Sequence, residues 1–121
     1  MNLTMNTRWA GDVTIVDLNG RIALGEESAA LRELITKLLA DNRKKILLNM
    51  ADVSYIDSSG LGVLVSGFTT VKRAGGDLKL LKLSDKVSDL MEITRLYTVF
   101  DIEDDEAQAV AAFGNTTAAG A

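Results

Sequence analysis

Apolar and polar positions along this chain follow two alternating rhythms. Met5–Trp9 and Val13–Leu18 read as short strand runs flanking Gly11-Asp12, a turn pair, and so predict a β-hairpin. In the second run Val13, Ile15 and Asp17 fall on one side, while Thr14, Val16 and Leu18 fall on the other. Apolar residues on both sides predict a strand inside a sheet. Glu26–Ala40 then switches to the helical period: Leu31, Leu34, Ile35, Leu38 and Leu39 form one stripe. Glu26 and Glu27 suit the positive end of that helix, and Asn42 suits its stop. Lys45–Asn49 carries Ile46-Leu47-Leu48, the run of a buried strand.

A second helix is predicted from Ser58 to Ala74, with Leu61, Leu64, Val65 and Phe68 facing the core and Gly75-Gly76 ending it. Leu78–Leu83 reads as another strand. Ser84-Asp85 caps a third helix carrying Val87, Leu90 and Met91. Val99–Ile102 is the expected last strand, and Asp104–Phe113 the last helix. Strands separated by helices require parallel pairing through crossovers. The expected fold is therefore α/β: a mixed, mostly parallel sheet with about four helices packed mainly on one face. A single domain is expected over residues 1–114, followed by a small, polar tail over 115–121.

Composition narrows the chemistry. The 121 residues contain no cysteine, which excludes a disulfide scaffold and thiolate chemistry, and no histidine, which removes any Ser-His triad and the commonest metal ligand. No enzyme, metal or cofactor is expected. The net charge of −4 argues against direct nucleic-acid binding, so Arg43-Lys44-Lys45 and Lys72-Arg73 read as solvated surface charge. Met1–Trp9 lacks the pattern of a secretory signal, and no run approaches the ~18 apolar residues of a membrane span. The cytoplasm is the expected compartment, without membrane insertion.

One segment concentrates candidate chemistry. Asp52 to Gly62 reads DVSYIDSSGLG, where a strand ends and a helix begins. Groups at the carboxyl end of a strand and the amino end of a helix stand on an exposed turn that tolerates anions. Enzyme motifs nearly fit there and fail on definite residues. The spacing from Gly62 to Gly67 matches a Walker A loop, but Phe68 replaces its lysine. Val65 stands at the third glycine of a dinucleotide fingerprint, and Ile56 to Gly60 lacks the first glycine of a nucleophile elbow. Asp52 and Asp57 are a pair only in sequence. In physical terms alone, Asp57-Ser58-Ser59 reads as a helix cap. Gly60 and Gly62 fit either close approach by a partner or tight helix–sheet packing, and Leu61 belongs to the core stripe.

The segment from Asn49 to Gly62 resembles the signature of the STAS domain of bacterial anti-sigma factor antagonists. The similarity extends to Leu18-Asn19-Gly20-Arg21-Ile22, to the Lys72–Gly76 turn and to Leu96–Asp105, covering about residues 3–113. Two positions depart from the pattern: Asp85 stands where many relatives have proline, and Arg95 where relatives often have glycine. The resemblance implies a partner switch. The unmodified antagonist binds an anti-sigma factor that is also a serine kinase, which frees a sigma factor. The kinase phosphorylates the serine after the aspartate, and a metal-dependent serine phosphatase reverses the step. Carried onto this chain, Ser58 is the phosphoacceptor, Ser59 its neighbour, and Asp57 positions the loop or the kinase. Asp57, Ser58, Ser59, Gly60, Leu61 and Gly62 make the expected partner surface, on a monomer or weak dimer. Phosphorylation at a helix start is expected to leave the fold intact and to act on the partner. Two other readings compete. A stand-alone STAS subunit of a lipid transporter or other signalling complex would have transporter genes as neighbours. Nucleotide binding at the Ser58 helix start would show in an ATP or GTP binding assay.

Overall fold

The computed structural model of this chain describes residues 3–120, with side chains as far as Phe113. The tail expected over 115–121 lies outside the residues whose side chains are described. The elements are β1 (Leu3–Ala10), β2 (Val13–Ile22), α1 (Glu26–Ala40), β3 (Lys45–Ile56), α2 (Ser58–Arg73), β4 (Asp77–Leu81), α3 (Asp85–Thr94), a 3-10 turn (Leu96–Thr98), β5 (Ile102–Glu103) and α4 (Glu106–Gly120). The strands lie in sequence order β1-β2-β3-β4-β5. β1 and β2 form the antiparallel hairpin, and every later pair is parallel.

Helices α1, α2 and α3 cover one face of the sheet over a core that includes Val16, Leu18, Leu31, Ile35, Leu48, Leu64, Leu80 and Met91. The other face of the same strands supplies Val13, Ile15, Leu47 and Leu81, which pack with Ala109 and Phe113 of α4. The two-sided pattern of β2 is thus satisfied by helices on both faces, three against one. Lys79 also faces α4. It is only 5% exposed, with Nζ 2.6 Å from Asp101 and beneath the Phe113 ring at 5.4 Å. Burial alone would lower the Lys79 pKa, but the Asp101 and Asp77 carboxylates override it and hold it above the ordinary lysine value. Arg8 joins β1 to α4 at the rim: its guanidinium donates to Asp17 at 2.7 Å and to Glu106 at 2.9 Å.

Four expectations are corrected. First, β3 runs well past Asn49 because two bulges add residues to it. One lies between the pairs Asp17–Asn49 and Asn19–Asp52, the other between Gly20–Val53 and Arg21–Tyr55. They bring Met50, Val53 and Ile56 to the same core at three-residue spacing. Second, the last strand is not Val99–Ile102. The chain first makes a 3-10 turn, in which Val99 N donates to Leu96 O at 2.9 Å, and pairing begins with Leu80 N donating to Asp101 O at 3.0 Å. Third, Ser84 stands at the start of α3 without a side-chain capping bond; its hydroxyl donates to Val53 O at 2.9 Å. Fourth, α4 starts at Glu106 because Asp105 caps it, accepting from Gln108 N at 2.9 Å.

Arg95 ends α3 in the left-handed region at φ 61°. Its similarity-based departure from glycine therefore falls at a position whose backbone suits glycine.

Candidate functional site

β2 and β3 end side by side, with Ile22 opposite Ile56 and both buried. The chain leaves β3 through Asp57, still extended at φ −104° and ψ −176°, and enters α2 at the next residue. Asp57 N donates to Ile22 O at 3.3 Å. Its carboxylate accepts twice: Oδ1 from Gly60 N at 2.8 Å and Oδ2 from Leu24 N at 3.0 Å. Asp57 is thus both the cap of α2 and a tie to the loop between β2 and α1. These amide donors, Gly60 first and Leu24 second, hold its carboxyl below the usual aspartate range.

The tied loop is shaped by Gly25, whose φ of 108° is open to glycine at no steric cost. The Ser28 hydroxyl donates to Ala23 O at 2.6 Å and fixes the other side of the same turn. Leu24 is left 76% exposed at its tip.

Ser58 is the first residue of α2 and is exposed. Its hydroxyl has no hydrogen-bond partner among the described residues. It stands where the positive end of the α2 dipole meets solvent. Ser59 is half-buried and turned sideways, into an open depression of about 500 Å³ between α1 and α2 that Gly62, Leu24 and Arg32 also line.

The two glycines separate cleanly. A Cβ on Gly60 would land on the Ile22 carbonyl oxygen and 2.7 Å from Ile56 Cγ1, so Gly60 is a packing residue that lets α2 start against the sheet. A Cβ on Gly62 would meet nothing within 4 Å. Leu61 is buried in the core. Of the six residues expected at the site, Ser58, Ser59 and Gly62 face outward, and Asp57, Gly60 and Leu61 hold them there. Asp52 lies along β3, opposite Asn19. Among the described residues no group of acidic side chains could hold a metal ion. Leu24 was not singled out by the sequence reading, although an apolar residue outside the α1 stripe and just before Gly25 was a usable signal.

Asp57→Ala is expected to lower the melting temperature by about 3–6 °C near neutral pH, since both the cap and the loop tie are lost. The sign with pH follows from the depressed carboxyl. Its contribution is complete above the unfolded aspartate value near pH 4 and fades as the pH falls through the lower folded value. Thermal melts of both proteins should therefore converge as the pH falls below the usual aspartate range; an undiminished gap in acid would contradict the ionised tie.

Comparison with known proteins agrees with this architecture. The STAS domain model matches residues 4–109. The anti-sigma-B factor antagonist of Bacillus subtilis is 36% identical over 102 residues, spanning 84% of this chain and 92% of that protein. A Thermotoga maritima crystal structure, proposed as an anti-sigma factor antagonist, superposes with a TM-score of 0.84 at 25% identity, covering 90% of this chain and 93% of that one. The phosphorylated form of the Bacillus cell fate determinant SpoIIAA shares the fold at a TM-score of 0.71 and 17% identity, covering 90% and 98%. The chain belongs to the STAS domain family, among the anti-sigma factor antagonists.

Proposed function

We propose that this chain works in the cytoplasm as a partner switch. Unmodified, it binds an anti-sigma factor that is a serine kinase and so frees a sigma factor; phosphorylation of Ser58 ends that binding, and a serine phosphatase restores it. The observation that carries this reading is the exposed Ser58 hydroxyl at the first position of α2, without a hydrogen-bond partner among the described residues, in a chain 36% identical to an anti-sigma-B factor antagonist.

The chemistry suits the place. The γ-phosphoryl group of ATP moves to Ser58 Oγ, the hydroxyl proton is released, and ADP leaves. The product carries about −1.5 to −2 charge at a helix start, where the dipole tolerates it. The fold is therefore retained and the penalty falls on the complex. Ser59 is the poorer acceptor, because it faces the depression between α1 and α2 rather than open solvent.

The test is phosphorylation by the purified cognate anti-sigma kinase with ATP, read by mass spectrometry, together with calorimetric titration of the same kinase. One phosphate on Ser58 is expected, none in Ser58→Ala, and full labelling in Ser59→Ala. Ser58→Asp should bind at least tenfold more weakly, equivalent to about 1.4 kcal/mol, while melting like the parent. Labelling of Ser58→Ala, or a large fall in the melting temperature of Ser58→Asp, would refute the rigid switch.

A further inference from the structure

Where the parallel strands begin, at the opposite end of β3 from Ser58, cationic side chains gather around the chain's one tryptophan. Trp9 pairs with Thr14, Val13 with Lys45 and Lys45 with Asp77, so the β1–β2 turn and the starts of β3 and β4 stand in one row. The exit of α1 adds Arg43 and Lys44, and the end of α2 adds Lys72 and Arg73. Gly76 passes so close to Lys44 that a Cβ there would strike the Lys44 carbonyl oxygen. Three carboxylates lie among these cations: Asp12, which holds Lys45 at 2.6 Å, Asp77, which Lys72 and Lys79 share, and the exposed Asp41. Arg43, Lys44 and Arg73 have no ion-pair partner among the described residues. This end is therefore positive in a chain whose net charge is −4. Arg43 departs from the solvated charge that its sequence suggested. It is half-buried, its Nε donates to the buried Thr14 hydroxyl at 2.8 Å, and its guanidinium lies 5.7 Å from the centre of the Trp9 ring. Its Nη2 is buried and has no hydrogen-bond partner among the described residues. A buried donor left without an acceptor is costly, the more so on a cation. Trp9 beside it is 62% exposed.

We propose that this end is a second docking surface, separate from the Ser58 turn, that takes an acidic peptide segment of a partner protein. A carboxylate of the segment supplies the acceptor that Arg43 Nη2 lacks, beside the Trp9 ring, while Lys44 and Arg73 hold neighbouring acidic residues. An exposed tryptophan alone is ordinary; the orphaned donor next to it marks a missing acceptor. The guanidinium fork matches a planar carboxylate, and tryptophan and arginine are the side chains that most often anchor protein contacts. Charge points to the same class of partner. Asp12, Asp41 and Asp77 interrupt the positive field, which breaks the continuous basic track that a nucleic-acid backbone needs. A lipid surface is met by protruding cations, whereas the group in need of an acceptor here is recessed. The Trp9 ring is largely unpacked and yields as the carboxylate enters. The surface does not depend on the state of Ser58, which stands beyond the far end of a twelve-residue strand.

The test is titration of the full chain with a blocked oligo-glutamate peptide of about eight residues, at about 50 mM salt so that screening is weak. Trp9 fluorescence and calorimetry are the two readouts. A saturable change in the fluorescence of the single tryptophan is expected. Arg43→Lys keeps the charge but loses the fork, and should weaken binding at least fivefold. Trp9→Leu, followed by calorimetry, should weaken it at least threefold; the ring is exposed, so this variant should melt like the parent. Ser58→Asp should bind the peptide as the parent does. An oligothymidylate of equal length and phosphatidylglycerol vesicles should each bind more weakly than the peptide. The absence of saturable peptide binding to the parent would overturn the proposal. Parent-like affinity in a folded Arg43→Lys would overturn it too, because a generic cation would then suffice. Should Arg43→Lys fail to fold, Trp9→Leu decides, and its parent-like affinity would overturn the surface. Tighter binding of the oligonucleotide or the vesicles would replace the acidic peptide with a nucleic acid or a membrane. A loss of peptide binding in Ser58→Asp would show that the two ends are not separate. None of these results bears on phosphorylation of Ser58, so the partner switch stands or falls by its own test.

Discussion

Replacing Phe113 by alanine is expected to destabilise the protein by about 3–5 kcal/mol, the usual range for deleting a fully buried aromatic side chain. Phe113 is 1% exposed and, among the described residues, is the large α4 side chain that covers Val13, Ile15, Leu47 and Leu81, beside Ala109 and the partly buried Val110. These four belong to strands whose opposite faces are sealed by α1, α2 and α3. Removing the ring therefore opens one face of an otherwise closed sheet. It also uncovers Lys79, whose ammonium lies under the ring and pairs with Asp101. Domains of this kind have net stabilities of about 5–15 kcal/mol, so the loss is a large fraction of the whole. Urea unfolding should show a lower midpoint with little change in slope. Phe113→Leu, which keeps most of the volume, should lose less than about 1.5 kcal/mol. A Phe113→Ala loss below about 1 kcal/mol would mean that α4 contributes little to holding that face.

What the sequence revealed divides along local and non-local lines. The hairpin, α1 and α2 were legible because their signals lie within one element: the Gly11-Asp12 turn, the leucine stripe, and the Gly75-Gly76 stop, where Gly75 takes φ 86°. The length of β3 was not legible, because bulges break the two-residue alternation on which strand recognition depends. The two-residue β5 was displaced because its neighbourhood is set by the 3-10 turn and by Phe100, whose ring meets Phe68 edge-on at 5.4 Å. The packing of α4 on the face opposite the other helices depends on pairing between strands far apart in the chain.

The same division runs through the candidate site. DSSGLG marked the turn and its cap, and it singled out Ser58. The second bond of Asp57 reaches Leu24, 33 residues earlier, and exists only because β2 and β3 end side by side. That non-local bond turns a helix cap into a support for a neighbouring surface. It also gives Asp57 a structural task within the domain that sequence similarity had described only as positioning the loop or the kinase.

Gly60→Ala and Gly62→Ala are expected to move stability in opposite directions, although they lie two residues apart on one helix. At Gly60 the new methyl group meets the Ile22 carbonyl oxygen, Ile56 Cγ1 at 2.7 Å and Ile22 Cγ2 at 3.0 Å. The first of these is backbone of a paired strand and does not rotate away. Relief requires α2 to lift from the sheet, which also stretches the Asp57–Gly60 hydrogen bond. Overpacking of this kind costs about 1–3 kcal/mol and sometimes more, and the backbone contact places Gly60→Ala at the upper end. At Gly62 the methyl group enters open space. There alanine improves helix propensity, and a gain of up to about 1 kcal/mol is expected. Chemical denaturation of the two variants measures both effects directly. Equal losses would mean that the glycines serve a common backbone requirement and do not divide into a packing glycine and an outward-facing one. With the expected opposite signs, Gly62→Ala also becomes a folded probe of the surface beside Ser59: any loss of partner affinity in that stabilised variant reports steric contact there and not a weakened fold.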